Sequence, residues 1–141
     1  MVHGRWSELI RDQAIPLPVL RQYFDGLVGQ GVLFVNAAWT RTGDEEITAH
    51  RSLWKPILDH MLRKLAKNDQ PVVFLLLGDD ARKTFCAADP ICHRSAIIDD
   101  AHPRSSQFFD YRNPLERVNL ALDDLGADPI QWWPNPLPAP A

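Results

Sequence analysis

The chain has 141 residues, 45% hydrophobic and 23% charged, with 15 Lys and Arg against 18 Asp and Glu and a net charge of −3. That composition is of an ordinary globular domain long enough to bury a core, and it excludes low-complexity and collagen-like chains. A protein that holds nucleic acid through its overall field would be basic, so any such contact here must come from local geometry.

In chain order, residues 17–28 place Leu20, Tyr23, Phe24, Leu27 and Val28 at helical spacing. Gly29-Gln30-Gly31 ends that helix and leads into the apolar run Val32 to Val35, read as a first strand that closes on Asn36. A polar loop, Arg41 to Thr48, precedes a second helix from about Ser52, whose stripe is Leu53, Trp54, Ile57, Leu58, Met61, Leu62 and Leu65. Pro56 is expected near its first turn, where proline costs little. Asn68-Asp69-Gln70-Pro71 breaks the helix, and Val72 to Leu77 forms a strand apolar enough to be buried on both faces. Asp79 is expected to cap a short helix through about Phe85. A third strand follows near Ala96 to Asp99, and Asn113-Pro114 caps a last helix with Leu115, Val118, Leu122 and Leu125 on one face. Gly126 ends that helix. Trp132 and Trp133 are expected to pack back on the body before a proline-rich tail.

Helices alternating with apolar strands give an open parallel α/β sheet with helical crossovers, a single domain over residues 1–133 with a tail over 134–141. No apolar run is long enough to span a bilayer, and Met1 to Trp6 carries no signal-peptide core, so a cytoplasmic protein is expected. Cys86 and Cys92, with His93 beside the second, fit one small-loop disulfide or, in a reducing compartment, two ordinary thiols. Their spacing does not match a zinc site, and no metal is expected.

Ligand chemistry in such sheets sits at the carboxyl ends of the strands, which singles out Asn36 and His102. A carboxamide offers donors and an acceptor in one plane and can read a complementary polar edge. The competing reading of Asn36 is a residue that terminates a strand by bonding its own backbone. His102 can donate to a leaving group that gathers negative charge, or can simply be an exposed loop histidine.

Four segments, in order, resemble the family 1 uracil-DNA glycosylases. Gly31 to Thr40 (GVLFVNAAWT) resembles their base-reading strand, and Val72 to Gly78 (VVFLLLG) their next core strand. Ala101-His102-Pro103 matches the start of their histidine-proline-serine-proline loop, and Gly126 to Trp132 (GADPIQW) their C-terminal signature. The resemblance runs from about Ser7 to Pro138. It implies hydrolysis of the N-glycosidic bond of uracil in DNA, for base-excision repair. Asn36 would read the base and His102 would stabilise the departing uracil. DNA containing uracil would be the partner, and no cofactor is expected.

The departures from the family are equally specific. Its glycine-glutamine-aspartate-proline-tyrosine-histidine motif, whose aspartate positions the attacking water, is not in this sequence, so the chain is expected to be inactive alone. Arg104, Ser105 and Ser106 stand where the family has serine, proline and a DNA-wedging leucine. Asp79 stands where a serine usually follows the glycine. His50 sits where the family has a serine-histidine pair, although a helix-start residue is an equal reading. His50, Asp79, Arg104 and Ser105 are therefore candidates for DNA contact. Arg82, Lys83, Arg94, Arg104 and Arg112 alternate with acids and read as a mixed solvated surface. The resemblance also implies a missing interior strand between the first two, and unpaired strands invite a protein partner or self-association. The alternatives are a non-catalytic remnant or interaction module that keeps the fold, and, more remotely, another small hydrolase acting on nucleosides or nucleotides.

Overall fold

The computed structural model describes residues 17–40, 42–43, 46–105, 108 and 113–132. Ser106, Phe109, Arg112, Trp133 and the tail 134–141 lie outside the described residues. The elements are α1 (Leu17–Gly29), α2 (Ile47–Ala66), β1 (Val72–Leu77), α3 (Asp79–Ala88), β2 (Ser95–Asp100) and α4 (Pro114–Asp124). The chain divides into two compact units, residues 1–34 with 130–141 and residues 35–129.

In the first unit, α1 buries Leu27, and the Phe24 and Phe34 rings meet edge to face at 5.5 Å. Gln30 pairs with the backbone of Gln131 in both directions, its Nε2 donating to the Gln131 carbonyl at 3.3 Å and its Oε1 accepting from the Gln131 N–H at 2.7 Å. Trp132 is half-buried.

The second unit is built on β1 and β2, which pair in parallel from Val72↔Ser95 to Leu77↔Asp100, with α3 as the crossover between them. Phe74 and Leu76 of β1 form a core with Ala66 of α2 and Phe85 of α3, and the Phe74 and Phe85 rings lie 4.9 Å apart. Arg63 closes the end of this layer by donating from Nε to the Ala88 carbonyl at 2.7 Å. On the other side α4 contributes the buried Pro114 and Val118. Its start follows the sequence, since the Asn113 side chain accepts from the Leu115 N–H at 3.0 Å. Caps of this kind are typically worth about 1 kcal/mol.

Several expectations need correction. Val32 to Val35 is not a strand: the Val32 N–H donates back to the Leu27 carbonyl at 3.0 Å, while Leu33 is 61% and Phe34 56% exposed. A strand exists by pairing, and among the described residues this segment has no strand partner. Asn36 therefore does not end a strand. β1 is not buried on both faces, because only Phe74 and Leu76 are buried and their neighbours are half-covered. Helix α2 starts at Ile47 rather than near Ser52, which places Pro56 in its interior. Proline there leaves the Ser52 carbonyl without its helical donor, a cost that exposure to water softens. Asp79 does not cap α3: Gly78 holds the cap position, Asp79 is the first helical residue, and the helix runs on to Ala88.

Gly78 is what brings the carboxyl ends of the two strands together. Its N–H donates to the Asp100 carbonyl at 2.9 Å, one step beyond the ladder, and its φ of 91° and ψ of 168° are open essentially to glycine alone. A Cβ at this position would stand 3.0 Å from the Cβ and 3.4 Å from the Cδ2 of His102. Gly78→Ala is expected to cost on the order of 1–3 kcal/mol of stability through backbone strain, and to shift the His102 ring resonances. Denaturant unfolding and NMR spectra check this, and an alanine variant with unchanged stability and an unmoved His102 would contradict it.

Candidate functional site

The carboxyl edge of the parallel pair opens into a cleft of about 500 Å³ in the second unit. Its floor is Gly78 and the residues that close β2, Asp99 and Asp100. Its walls are Asp79 and Arg82 from α3, Ala101, His102 and Ser105 from the loop after β2, and Arg117 from α4. Ligand sites in open α/β sheets form at this kind of edge.

His102 is exposed at the rim and its ring is oriented by the loop that follows. The Arg104 N–H donates to Nδ1 at 3.1 Å, and the Ser105 N–H donates to the His102 carbonyl at 2.7 Å. A ring nitrogen that accepts carries no proton, so neutral His102 holds its hydrogen on Nε2. That tautomer presents Nε2–H as a donor, suited to an oxygen on which negative charge develops.

The charged groups of the cleft are largely matched to one another. Arg82 Nε donates to Asp99 Oδ1 at 3.1 Å, and Arg82 Nη1 lies 3.9 Å from Asp79 Oδ1. Its hydrogen bond to Asp99, reinforced by the attraction of that carboxylate, raises the Arg82 guanidinium above its ordinary range, so it stays a cation at all working pH values. Arg117 Nη1 donates to Asp100 Oδ2 at 3.0 Å and to the Asp99 carbonyl at 3.1 Å. The other oxygen of Asp100 accepts from the Ala101 N–H at 2.7 Å. Exposed pairs of the Arg82 type contribute little to stability. The Asp100 side chain is only 9% exposed, and Arg117 is its cationic partner.

Of the residues that sequence reasoning put forward, the cleft contains His102, Asp79 and Ser105. Arg104 is exposed beside it and contributes its backbone N–H. Asn36 is exposed in the same unit and does not line the cleft. His50 is half-buried on α2, with Nδ1 2.8 Å from Thr40 Oγ1 and Nε2 2.9 Å from Thr42 Oγ1. Arg117, Asp99 and Asp100 carry no motif that marks them as site residues, and Arg82 reads in the sequence as part of a mixed solvated surface. The available signal was positional: Asp99-Asp100 closes a strand, and Arg82 and Arg117 each lie one turn into the helices that flank it.

Cys86 and Cys92 are free, exposed thiols. Among the described residues no group of three or more His, Cys, Asp or Glu is arranged to hold a metal ion, and no helix is long and apolar enough to cross a membrane.

No family model matches the chain. Individual curated proteins do. A uracil-DNA glycosylase of Pediococcus pentosaceus is 33% identical over 132 residues, 90% of this chain and 55% of that protein. One from Lacticaseibacillus casei is 34% identical over 131 residues, again 90% of this chain and 55% of the relative. One from Deinococcus deserti is 36% identical over 130 residues, 90% of this chain and 51% of the relative. The chain spans about half the length of the curated relatives it matches. Over nine-tenths of its own length the chain is similar to these curated uracil-DNA glycosylases.

Proposed function

We propose that this chain carries the base-reading and leaving-group half of a uracil-DNA glycosylase, an enzyme that hydrolyses the N-glycosidic bond of uracil in DNA for base-excision repair. The observation that carries the reading is His102. Its Nδ1 accepts from the Arg104 N–H, so Nε2 holds the ring proton at the cleft on the sheet's carboxyl edge. As the bond from sugar to base breaks, uracil gathers charge on O2, and a donor already in place favours the transition state over the ground state. Asn36 supplies the amide that distinguishes uracil from cytosine. Ser105, beside His102 in the cleft, and Arg104 contact the DNA strand.

The step that this chain does not supply is activation of water, for which a positioned carboxylate typically contributes about 10²–10⁴-fold. Asp99 and Asp100 are bonded to Arg82 and Arg117, and we assign them to holding the cleft. The purified 141-residue chain is expected to release little or no uracil from single-stranded DNA. Robust release, lost in Asn36→Ala or His102→Ala, would contradict the division of labour between the two halves.

A non-catalytic interaction module is favoured by one specific observation. Asp79 opens α3 with its side chain 82% exposed, placing an anion where a helix N-terminus would otherwise attract a phosphate. A chain that keeps the fold without the chemistry would show no uracil release in any combination.

We further propose that a protein partner or a second copy covers the incomplete apolar surface of the chain. Leu33, Phe34 and Val35 are exposed on a segment that has no strand partner among the described residues, and Ile97 of β2 is 49% exposed. Exposed apolar surface of this kind marks a place of association. Sedimentation is expected to show dimers or larger species, and thermal melting a low midpoint. A monodisperse monomer melting cooperatively well above about 60 °C, the upper mesophile range, would contradict this.

A further inference from the structure

We infer that His50 is a positioning residue, which locks the turn following Asn36 through a one-way chain of hydrogen bonds from Trp54 through Thr40, His50 and Thr42 to Glu46. The direction of the chain follows from counting hydrogens. An indole N–H can only donate, and Trp54 Nε1 lies 2.9 Å from Thr40 Oγ1. An ionised carboxylate can only accept, and Glu46 Oε2 takes the single hydroxyl hydrogen of Thr42. Thr42 therefore has no hydrogen left for His50 Nε2, 2.9 Å away, so the ring must donate there. Neutral His50 then has an unprotonated Nδ1, and Thr40 Oγ1 supplies its hydrogen to it across 2.8 Å. Each group uses its hydrogen once. The opposite tautomer would set Nε2 against the Thr42 oxygen with no proton between them.

This chain ties both ends of the segment Thr40 to Thr42 to the first turns of α2, and the Trp39 ring packs on Trp54 at 4.8 Å between centroids. Asn36 lies four residues upstream of Thr40, so His50 sets where its backbone emerges. Both ring nitrogens are engaged, which assigns His50 to holding this turn in place of contacting a DNA phosphate. That the positioned residue reads uracil rests on the function proposed above; the hydrogen-bonded chain does not.

The test is long-range ¹H–¹⁵N NMR on the full chain at a pH above the imidazole titration range. The expected spectrum shows His50 as one tautomer, with Nε2 protonated and Nδ1 bare. Thr40→Val removes the hydrogen given to Nδ1, and is expected to produce mixed tautomers together with broadened or doubled signals from the Asn36 side-chain amide. Thr42→Ser keeps the hydroxyl and is expected to leave both unchanged. A His50 that averages between tautomers in the unaltered chain, or carries its proton on Nδ1, would overturn the inference without any variant. Asn36 signals unmoved by a folded Thr40→Val would overturn the positioning role. A locked His50 and an ordered Asn36 in a chain that fails to bind uracil would instead remove the base-reading assignment and leave the positioning role standing.

Discussion

The parallel pairing of β1 with β2 is the constraint on which the site depends. Parallel strands end on the same edge, so the ladder that finishes at Leu77↔Asp100 delivers both chain exits to one place. The Gly78 N–H extends the pairing by one bond to the Asp100 carbonyl, and its left-handed φ then turns the chain into α3. Because Gly78 has no Cβ, His102 can close over it. The hydrophobic layer of Ala66, Phe74, Leu76 and Phe85 holds α2, β1 and α3 as one body beneath this edge. Burying leucine and phenylalanine side chains such as Phe74, Leu76 and Phe85 contributes roughly 1.5–3 kcal/mol each, far more than the exposed ion pairs above them.

The electrostatics of the cleft follow from the same edge. Two carboxylates close β2, and each meets an arginine from a flanking helix, Asp99 with Arg82 and Asp100 with Arg117. The arginines therefore fasten α3 and α4 to the strand end and do not form an open cationic surface. A phosphate approaching the cleft has to compete with carboxylates already in place, and the Asp79 carboxylate adds like charge. His102 is different in kind, since its orientation comes from the backbone N–H of Arg104.

The parts of the fold legible in the sequence were those with a local cause. β1 was read with its observed bounds because six consecutive apolar residues between Pro71 and Gly78 admit little else. The start of α4 was legible because Asn113-Pro114 encodes a cap and a first helical residue together. The errors arose where the outcome depends on a distant partner. Val32 to Val35 has strand composition, but strand structure requires a neighbour that the described residues do not supply. The start of α2 was placed late because Pro56 suggested a first turn, whereas the helix tolerates proline on an exposed face. Within the site, the resemblance carried His102 to its place in the cleft. The roles of Arg82 and Arg117 emerge only once three elements meet, and no local pattern announces such a meeting.

The central claim is that Asn36 and His102 serve one base. Free uracil titrated into the ¹⁵N-labelled chain, with cytosine as the control, tests it most directly. The account predicts that the Asn36 side-chain amide and the His102 ring shift together along one saturation curve with uracil and stay still with cytosine. Shifts confined to one of the two residues, equal responses to both bases, or no response from either residue would contradict it.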